Sequence, residues 1–177
     1  MEAQELKAAR WPMLPMRVEA LSDVESLRLV RNELRSFMTR AREIITPEEQ
    51  AVWWSKAQEH VEAYLFQVPS SMPAVLDPSR NAVGYGLVYS TEWAGKQAYI
   101  KSPCGIVAGG LRESWRGQGL GTELFRFLTE RAMALYGRCA LEVLVSNAPA
   151  KRVYRKLGFV PFGRRTSESK VLMMVKK

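Results

Sequence analysis

Histidine and cysteine are scarce in this chain of 177 residues. His60 is the only histidine, and Cys104 and Cys139 are the only cysteines. No cluster of these residues has the spacing of a metal site, so we expect no bound metal. We interpret the cysteines as small buried hydrophobic residues of a protein in a reducing compartment, and His60 as a helix-end or surface residue.

Long apolar runs are also missing. No stretch approaches the roughly 20 residues that a membrane-spanning helix needs, and the charged N-terminus has no apolar signal-peptide core. We therefore expect a cytoplasmic protein without a membrane partner.

The length suits one domain, and a hydrophobic content of 47% is enough for a core. We predict an N-terminal arm at 1–15 and a single domain at 16–177.

Acidic residues become rare at the C-terminus. The net charge is +8, yet residues 151–177 hold nine Lys or Arg residues and a single acid, Glu168. The first 150 residues hold 17 basic and 17 acidic residues and are formally neutral. This asymmetry favours a polyanionic ligand or partner near the C-terminus, and nucleic acid is one such partner. A solvated face that only aids solubility is the alternative.

Apolar periodicity and turn residues predict a mixed order of helices and strands. Strands are expected at 16–21, 63–68, 82–90, 98–111 (interrupted near Pro103) and 141–145, followed by a hairpin made of 159–165 and 169–177. Helices are expected after a cap at Ser22 or Asp23, after Thr46, at 119–136 and at 149–156. The first helix carries an apolar stripe of Val24, Leu27, Val30 and Leu34. Thr46-Pro47-Glu48-Glu49 is typical of a helix start.

The segment SWRGQGLGTELFRFL at 114–128 places three glycines directly before an amphipathic run. A helix N-terminus carries unpaired amide groups and partial positive charge, and glycines let the backbone approach a phosphate closely. Arg116 adds a positive charge. Residues that follow at helical spacing should pack on a sheet; they are Leu120, Leu124, Leu128, Ala132 and Leu135. The loop therefore predicts a pyrophosphate cradle, although a glycine-rich turn without a ligand has the same pattern.

Arg116, Gly119 and Gly121 have the spacing R/Q-x-x-G-x-G/A. A second pattern, N-x-x-A-x-x-x-Y-x-x-x-G-F, follows at Asn147, Ala150, Tyr154, Gly158 and Phe159. In this order the two motifs resemble those of the GCN5-related N-acetyltransferases, the GNAT family. The resemblance extends over about 98–162. It implies a mixed α/β GNAT fold: a central mixed sheet of six or seven strands, splayed at the acetyl-CoA site, with helices on both faces.

The resemblance also implies acetyl-CoA as cosubstrate and no metal. The pantetheine arm is expected between the strand ending at Leu111 and the strand ending at Val145. The residues expected to hold the cofactor are Gly109, Gly110, Leu111, Arg116, Gly117, Gln118, Gly119, Leu120, Gly121, Thr122, Asn147, Lys151, Tyr154 and Lys156. The lysines, with Arg155, are candidates for the 3′-phosphate of CoA.

Acetyl transfer to an amine needs a base for the ammonium and benefits from an acid for the thiolate. Tyr154 stands at the family's tyrosine position and is expected to be the acid, unless it only packs against CoA. The stretch 141–159 is similar to bacterial enzymes that acetylate ribosomal-protein N-termini, which makes Glu142 the favoured base, although Leu144 stands where they carry Arg. Glu142 could instead form a cross-strand salt bridge. Glu113 is another candidate base, and Ser146 could position a water.

The chain is thus expected to be an acetyl-CoA-dependent N-acetyltransferase for a primary amine, as a monomer or homodimer. The basic residues Arg164, Arg165 and Lys170 favour a phosphate-bearing acceptor: an amino-nucleotide, an amino-sugar nucleotide or an amine-modified base in nucleic acid. Trp53 and Trp54 could stack on a ring of the acceptor or pack within the protein. The alternatives are a protein N-terminal acetyltransferase, a non-catalytic acyl-CoA-binding module and a nucleic-acid-binding module.

Overall fold

A computed structural model describes residues 13–39, 43–67, 82–93, 103–165 and 171–176 of the chain. Within these ranges, seven strands form one sheet in the order β1-β2-β3-β4-β5-β7-β6. The strands are β1 (Leu14–Arg17), β2 (Val61–Gln67), β3 (Ala82–Ser90), β4 (Gly105–Leu111), β5 (Cys139–Leu144), β6 (Val160–Arg165) and β7 (Val171–Lys176). The mixed sheet, with helices on both faces, confirms the fold class that the sequence predicted.

The sheet opens in its middle, between β4 and β5. All other neighbouring strands run antiparallel, whereas β4 and β5 are parallel. Among the described residues these two strands pair only at Gly105 with Cys139 and at Ile106 with Ala140. Beyond that point they diverge, so the C-terminal half of β4 has no strand partner on this side.

Four α-helices lie in the described part of the chain and cover the two faces of the sheet. They are α1 (Leu21–Glu33), α2 (Pro47–Ala57), α3 (Leu120–Tyr136) and α4 (Ala148–Lys156). Side chains alternate along β2, so Ala63 and Leu65 pack with α1 and α2, whereas Tyr64 and Phe66 pack with α3. We call the first side the α1/α2 face and the second the α3/α4 face.

Helix α3 packs closely on β3 and β4. A Cβ built on Gly86 would lie 2.6 Å from Leu128 Cδ2, so only glycine lets the helix come this near. Leu120, Leu124, Leu128 and Ala132 are buried, as their spacing predicted. Leu135 was expected on the same stripe, but it is 44% exposed. Leu135 keeps the direction of the stripe, about 60° around the axis from Leu120 at 100° per residue, but it lies in the last turn, next to the end of the helix at Tyr136.

The start of α1 differs from the prediction. The strand β1 lies at Leu14–Arg17 rather than at 16–21, and α1 begins at Leu21 with Ala20 as its N-cap. Asp23 lies at the third helical position, where its carboxylate accepts a hydrogen bond from the Ala20 amide at 3.0 Å. The acid thus compensates for a cap residue without a polar side chain. The predicted arm at 1–15 lies outside the described residues up to position 12.

Other sequence predictions agree with the structure. Thr46 caps α2 and forms a reciprocal capping box with Glu49. Cys104 and Cys139 are buried free thiols, and burial raises the pKa of both. His60 is exposed at the end of α2. The predicted hairpin forms from β6 and β7, which pair antiparallel.

A carboxylate cluster fixes the C-terminal half of α3 to the sheet. Glu62 on β2 accepts hydrogen bonds from Arg131 Nε at 2.6 Å and Nη2 at 2.7 Å. The Tyr64 hydroxyl donates to Glu62 at 2.7 Å, and Arg17 Nη1 lies 2.7 Å away. These donors, Arg131 above all, lower the pKa of Glu62 to about 2.

Candidate active site

A cavity of about 820 Å³ passes through the gap between β4 and β5. Residues from both faces of the sheet line it: Arg31, Trp53 and Tyr85 from the α1/α2 face, and Phe125 and Tyr154 from the α3/α4 face. The size lies within the range of small-molecule sites. The splay of the sheet therefore joins two half-sites into one continuous cleft.

The glycine loop forms the rim of the cleft on the α3/α4 face. Gly117 and Gly119 have φ of 78° and 84°, a left-handed conformation that side chains other than glycine rarely adopt. Both residues line the cavity, together with Gly121 and Thr122. Gly119 is the N-cap of α3, and no side chain caps this helix. The Thr122 amide donates to the Gly119 carbonyl at 3.0 Å, which leaves the Leu120 and Gly121 amides of the first turn available to an anion.

Arg116 is held in place at the same rim. Its Nε donates a hydrogen bond to the Leu111 carbonyl at 3.0 Å, and its guanidinium lies 4.2 Å from the ring centroid of Phe37. Phe37 belongs to a short 3-10 helix, Arg35–Phe37, that follows α1. The glycine loop and the segment after α1 therefore meet across the mouth of the cleft.

Tyr154 projects from α4 into the cleft on the α3/α4 face. It is only 6% exposed, and its ring packs edge-on against Phe125 with centroids 4.8 Å apart. Burial raises the pKa of the Tyr154 hydroxyl well above its ordinary value, and the neighbouring Tyr85 adds to the rise. The phenol therefore carries its proton at neutral pH.

Glu142 faces the cleft from the opposite side of the sheet. Its neighbours Leu141 and Val143 on β5 belong to the core under α3, so the alternation of the strand directs Glu142 to the α1/α2 face. The side chain is half-buried, and one carboxylate oxygen accepts a hydrogen bond from Thr39 Oγ1 at 3.3 Å. Thr39 thus connects the segment after α1 to the strand beyond the gap.

Aromatic side chains line the cleft on the α1/α2 face. Trp53 and Trp93 meet edge-on with centroids 6.4 Å apart, and Tyr89 lies 5.6 Å from Trp93. Trp54 is 8% exposed and packs in the core, so of the predicted Trp pair only Trp53 reaches the cavity. Tyr89 and Trp93 escaped the sequence analysis, although the alternation of β3 places Tyr85, Leu87 and Tyr89 on one face.

The comparison with protein families identifies this architecture. The model of the acetyltransferase (GNAT) family matches residues 31–159. This chain belongs to the GNAT family. Its members are acetyltransferases, and the match includes both the glycine loop and Tyr154. A search of curated proteins found no match.

Solved structures with the same fold include several GNAT enzymes. The chain superposes on the N-acetyltransferase of Staphylococcus aureus Mu50 with a TM-score of 0.69 and 15% identity over 93% of this chain and 98% of that one. Spermidine N-acetyltransferase of Vibrio cholerae, in complex with CoA and spermine, gives a TM-score of 0.66 and 16% identity over 93% of this chain and 95% of that one. The aminoglycoside acetyltransferase AAC(6')-Ib in complex with coenzyme A gives a TM-score of 0.69 and 21% identity over 93% of this chain and 94% of that one.

Most residues expected at the GNAT cofactor site do line the cleft. They are Gly109, Gly110, Leu111, Arg116, Gly117, Gly119, Gly121, Thr122, Asn147, Tyr154 and Lys156. Gln118 is exposed and donates to the Ser114 carbonyl, and Leu120 is buried in the core, so both can contribute only backbone amides. Lys151 turns away from the cleft and donates a hydrogen bond to the Val145 carbonyl.

Arg152 takes the place in the cleft that Lys151 was expected to have. It is exposed and lines the cavity with Lys156, four residues later on the same side of α4. Arg155 is exposed and outside the cavity lining, as are Glu113 and Ser146. The helical spacing from 152 to 156 was the signal that could have identified Arg152.

Among the residues that the structure describes, no group of three or more His, Cys, Asp or Glu is arranged to hold a metal ion. None of the helices in these ranges has both the length and the apolar character needed to cross a membrane. Asn147, besides lining the cleft, caps α4 by accepting a hydrogen bond from the Ala150 amide at 3.2 Å.

Proposed function

We propose that this GNAT protein transfers an acetyl group from acetyl-CoA to the primary amine of a small acceptor, by direct attack and without a covalent enzyme intermediate. One observation carries the proposal. Glu142 and Tyr154 line the same cleft from opposite faces of the sheet, so a base and an acid can act on the two ends of one reaction. The donor then occupies the α3/α4 face, and the acceptor occupies the α1/α2 face.

The residues of the α3/α4 face fit acetyl-CoA. The unpartnered edge of β4 at Gly109 and Gly110 suits an extended amide-bearing arm, because it leaves backbone groups without a strand partner on that side. The left-handed glycines and the uncapped start of α3 suit a pyrophosphate. Arg152 and Lys156 supply positive charge for the 3′-phosphate. When bound, acetyl-CoA supplies the carbonyl carbon that the amine attacks.

Glu142 is proposed to be the base. A protonated amine has no lone pair for attack, so it must first lose a proton. The Glu142 carboxylate, oriented by Thr39, accepts that proton directly or through one water. The N–C bond then forms at the acetyl carbon, and the C–S bond breaks with its electron pair on sulfur.

Tyr154 is proposed to be the acid. Its hydroxyl gives a proton to the departing thiolate, which leaves as a neutral thiol. The phenol carries its proton at neutral pH before this step, since burial raises its pKa. The proton that Glu142 accepted returns to solvent. The attacking nitrogen loses a second proton as the amide forms, and this proton restores the Tyr154 hydroxyl through solvent, so the transfer releases an amide, a thiol and one proton.

The positive charge of residues 151–177 is the basis for proposing the chemical class of the acceptor. The basic C-terminal region supports a phosphate-bearing acceptor, namely an amino-nucleotide, an amino-sugar nucleotide or an amine-modified base in nucleic acid. The similarity of 141–159 to ribosomal-protein N-terminal acetyltransferases supports a protein N-terminus as the alternative. Arg164 and Arg165 lie on β6, while Lys170 lies outside the described residues.

The test is acetyl transfer to a panel of amines, followed by thiol release and mass spectrometry of the product. The panel contains amino-nucleotides, amino-sugar nucleotides, N-terminal peptides and polyamines, with an acceptor-free control for thioester hydrolysis. We expect one acetylated amine for each thiol released. Hydrolysis without any acetylated product, or failure to bind CoA in a calorimetric titration, would contradict the proposed function.

A further inference from the structure

Arg31 is a buried cation at the acceptor side of the cleft. It lies in the last turn of α1, is 9% exposed and lines the cavity. Its Nη1 donates a hydrogen bond to Gln50 Oε1 at 3.0 Å, and its guanidinium lies 4.9 Å from the ring centroid of Trp53. The Tyr85 hydroxyl also interacts with Arg31. All three partners are uncharged at neutral pH, so they do not neutralise the positive charge of Arg31.

Two arginines near Arg31 form ion pairs with glutamates, whereas Arg31 does not. Arg28, one turn earlier on α1, pairs with Glu25 at 2.5 Å, and Arg112 at the end of β4 pairs with Glu33 at 3.0 Å. Within the described ranges, Arg31 pairs with no carboxylate, although it is the most buried of the three. A buried charge without a counter-ion costs free energy, so the site is poised to gain from binding an anion.

Two buried hydrogen-bond donors at this site, one on Arg31 itself and one on Gln50, also lack acceptors. Arg31 Nε and Gln50 Nε2 are both buried, and neither has a hydrogen-bond partner among the described residues. Both are donors, and buried donors are normally satisfied. An incoming carboxylate or phosphate brings several acceptor oxygens, and a guanidinium binds such groups with two parallel bonds.

The charges on the acceptor side of the cleft point the same way. The described lining includes four cationic side chains and one carboxylate, but Arg116, Arg152 and Lys156 lie on the cofactor side, where the phosphates of CoA would occupy them. Among the described lining residues this leaves Arg31 and Glu142 as the charged groups of the α1/α2 face, so a polyamine would meet a single acid there, with a cation on the same side. An amine that also carries an acidic group matches the cleft better, because its amine can face Glu142 while its acid reaches an arginine.

We propose that Arg31 binds the carboxylate or phosphate of the acceptor, while Trp53 and Trp93 flank a flat apolar part of the same molecule. This inference rests on the proposed function and specifies its acceptor as a small acidic monoamine. Arg31 and Glu142 both line the cleft on the α1/α2 face, so the acid and the amine are recognised on one side of the gap, away from the cofactor.

Four related probes test the proposal by calorimetry in the presence of saturating CoA. They are 4-(aminomethyl)benzoate, the corresponding phenylphosphonate, the uncharged 4-(aminomethyl)benzamide, and spermidine. We expect the wild-type protein to bind at least one acidic probe about 10- to 100-fold more tightly than the benzamide. The benzoate and the phosphonate distinguish a carboxylate from a phosphate as the natural group. Equal binding of acid and amide, tighter binding of spermidine, or no binding of either acid would overturn the proposal.

Variants separate Arg31 from the general positive charge of the protein. Gln50→Glu supplies Arg31 with an internal carboxylate and should reduce the preference for acid over amide to within about threefold, without loss of thermal stability. Arg31→Gln should have the same effect on binding, if it folds. Arg126→Gln is the matched control, because it removes the same charge from an exposed site on α3. If Gln50→Glu keeps the full preference, Arg31 is not the anion site.

The same measurements distinguish this inference from the proposed function. If CoA binds and amines are acetylated, but an acidic group gives no advantage, only the role of Arg31 fails. If the acidic probe binds through Arg31 but no amine is acetylated, the proposed function fails and the anion site stands.

Discussion

Replacing Glu62 tests how the sheet holds the helix that carries the glycine loop. Arg131 on α3 makes two hydrogen bonds to Glu62, and Arg17 and Tyr64 complete the cluster. The pKa of Glu62 falls from 4.5 to about 2, which corresponds to at most about 3–4 kcal/mol at about 1.4 kcal/mol per unit. The arginine side chains are 42% and 41% exposed, so solvent screening reduces this to about 1–2 kcal/mol.

The sign of the pH dependence follows from the lowered pKa. Between about pH 4.5 and 2 the unfolded chain binds a proton at Glu62 that the folded chain does not. This stabilisation is therefore complete above pH 4.5 and is lost as the pH falls towards 2. We expect Glu62→Gln to lower the free energy of unfolding by about 1–2 kcal/mol at pH 7, and the difference from wild type to shrink in acid.

Urea unfolding at a series of pH values measures this difference. Glu123→Gln is the control, since Glu123 forms only an exposed pair with Arg126 at 3.4 Å on the same helix. The control should change stability by less than about 0.5 kcal/mol. Equal effects of the two substitutions, or a Glu62→Gln difference that does not change with pH, would refute the reasoning.

Three further predictions concern the cleft and its support. Gly119→Ala and Gly137→Ala both place a side chain at a left-handed φ and should each cost about 1–2 kcal/mol of stability, but only Gly119→Ala should weaken CoA binding in a titration. Leu128→Ala should destabilise by about 2–5 kcal/mol in urea, and Leu135→Ala, at the exposed C-terminal end of α3, by less than about 1 kcal/mol. Glu142→Gln should lower kcat by about 100-fold or more at pH 7, with CoA affinity retained. Full activity of Glu142→Gln from pH 6 to 9 would place the base elsewhere.

The elements that were predicted correctly from the sequence are those with a clear local sequence pattern. Strand β3 lies at Ala82–Ser90 as its alternation predicted, and α2 begins at the capping box of Thr46. Both signals depend on neighbours within one or two turns of the chain. The start of α1 was missed because its cap, Ala20, carries no recognisable side chain.

The acceptor side depended on contacts that the sequence does not display. Arg31 meets Gln50 from 19 positions away, and Thr39 meets Glu142 from 103 positions away. Only the assembled sheet places β5 across the gap from the segment after α1. Lys151 shows the same limit on a smaller scale, because a basic residue near a phosphate motif can turn to a backbone carbonyl instead.

The turnover of Tyr154→Phe, measured beside its CoA affinity, tests the central claim most directly. The substitution removes one buried hydroxyl and keeps the ring that packs against Phe125. With an accepted amine at saturation, we expect kcat to fall by about 100-fold or more, while the Kd for CoA stays within about threefold of the wild-type value. If Tyr154→Phe turns over at the wild-type rate and binds CoA with the wild-type affinity, Tyr154 is not the acid, and the proposed mechanism of acetyl transfer in the cleft is wrong.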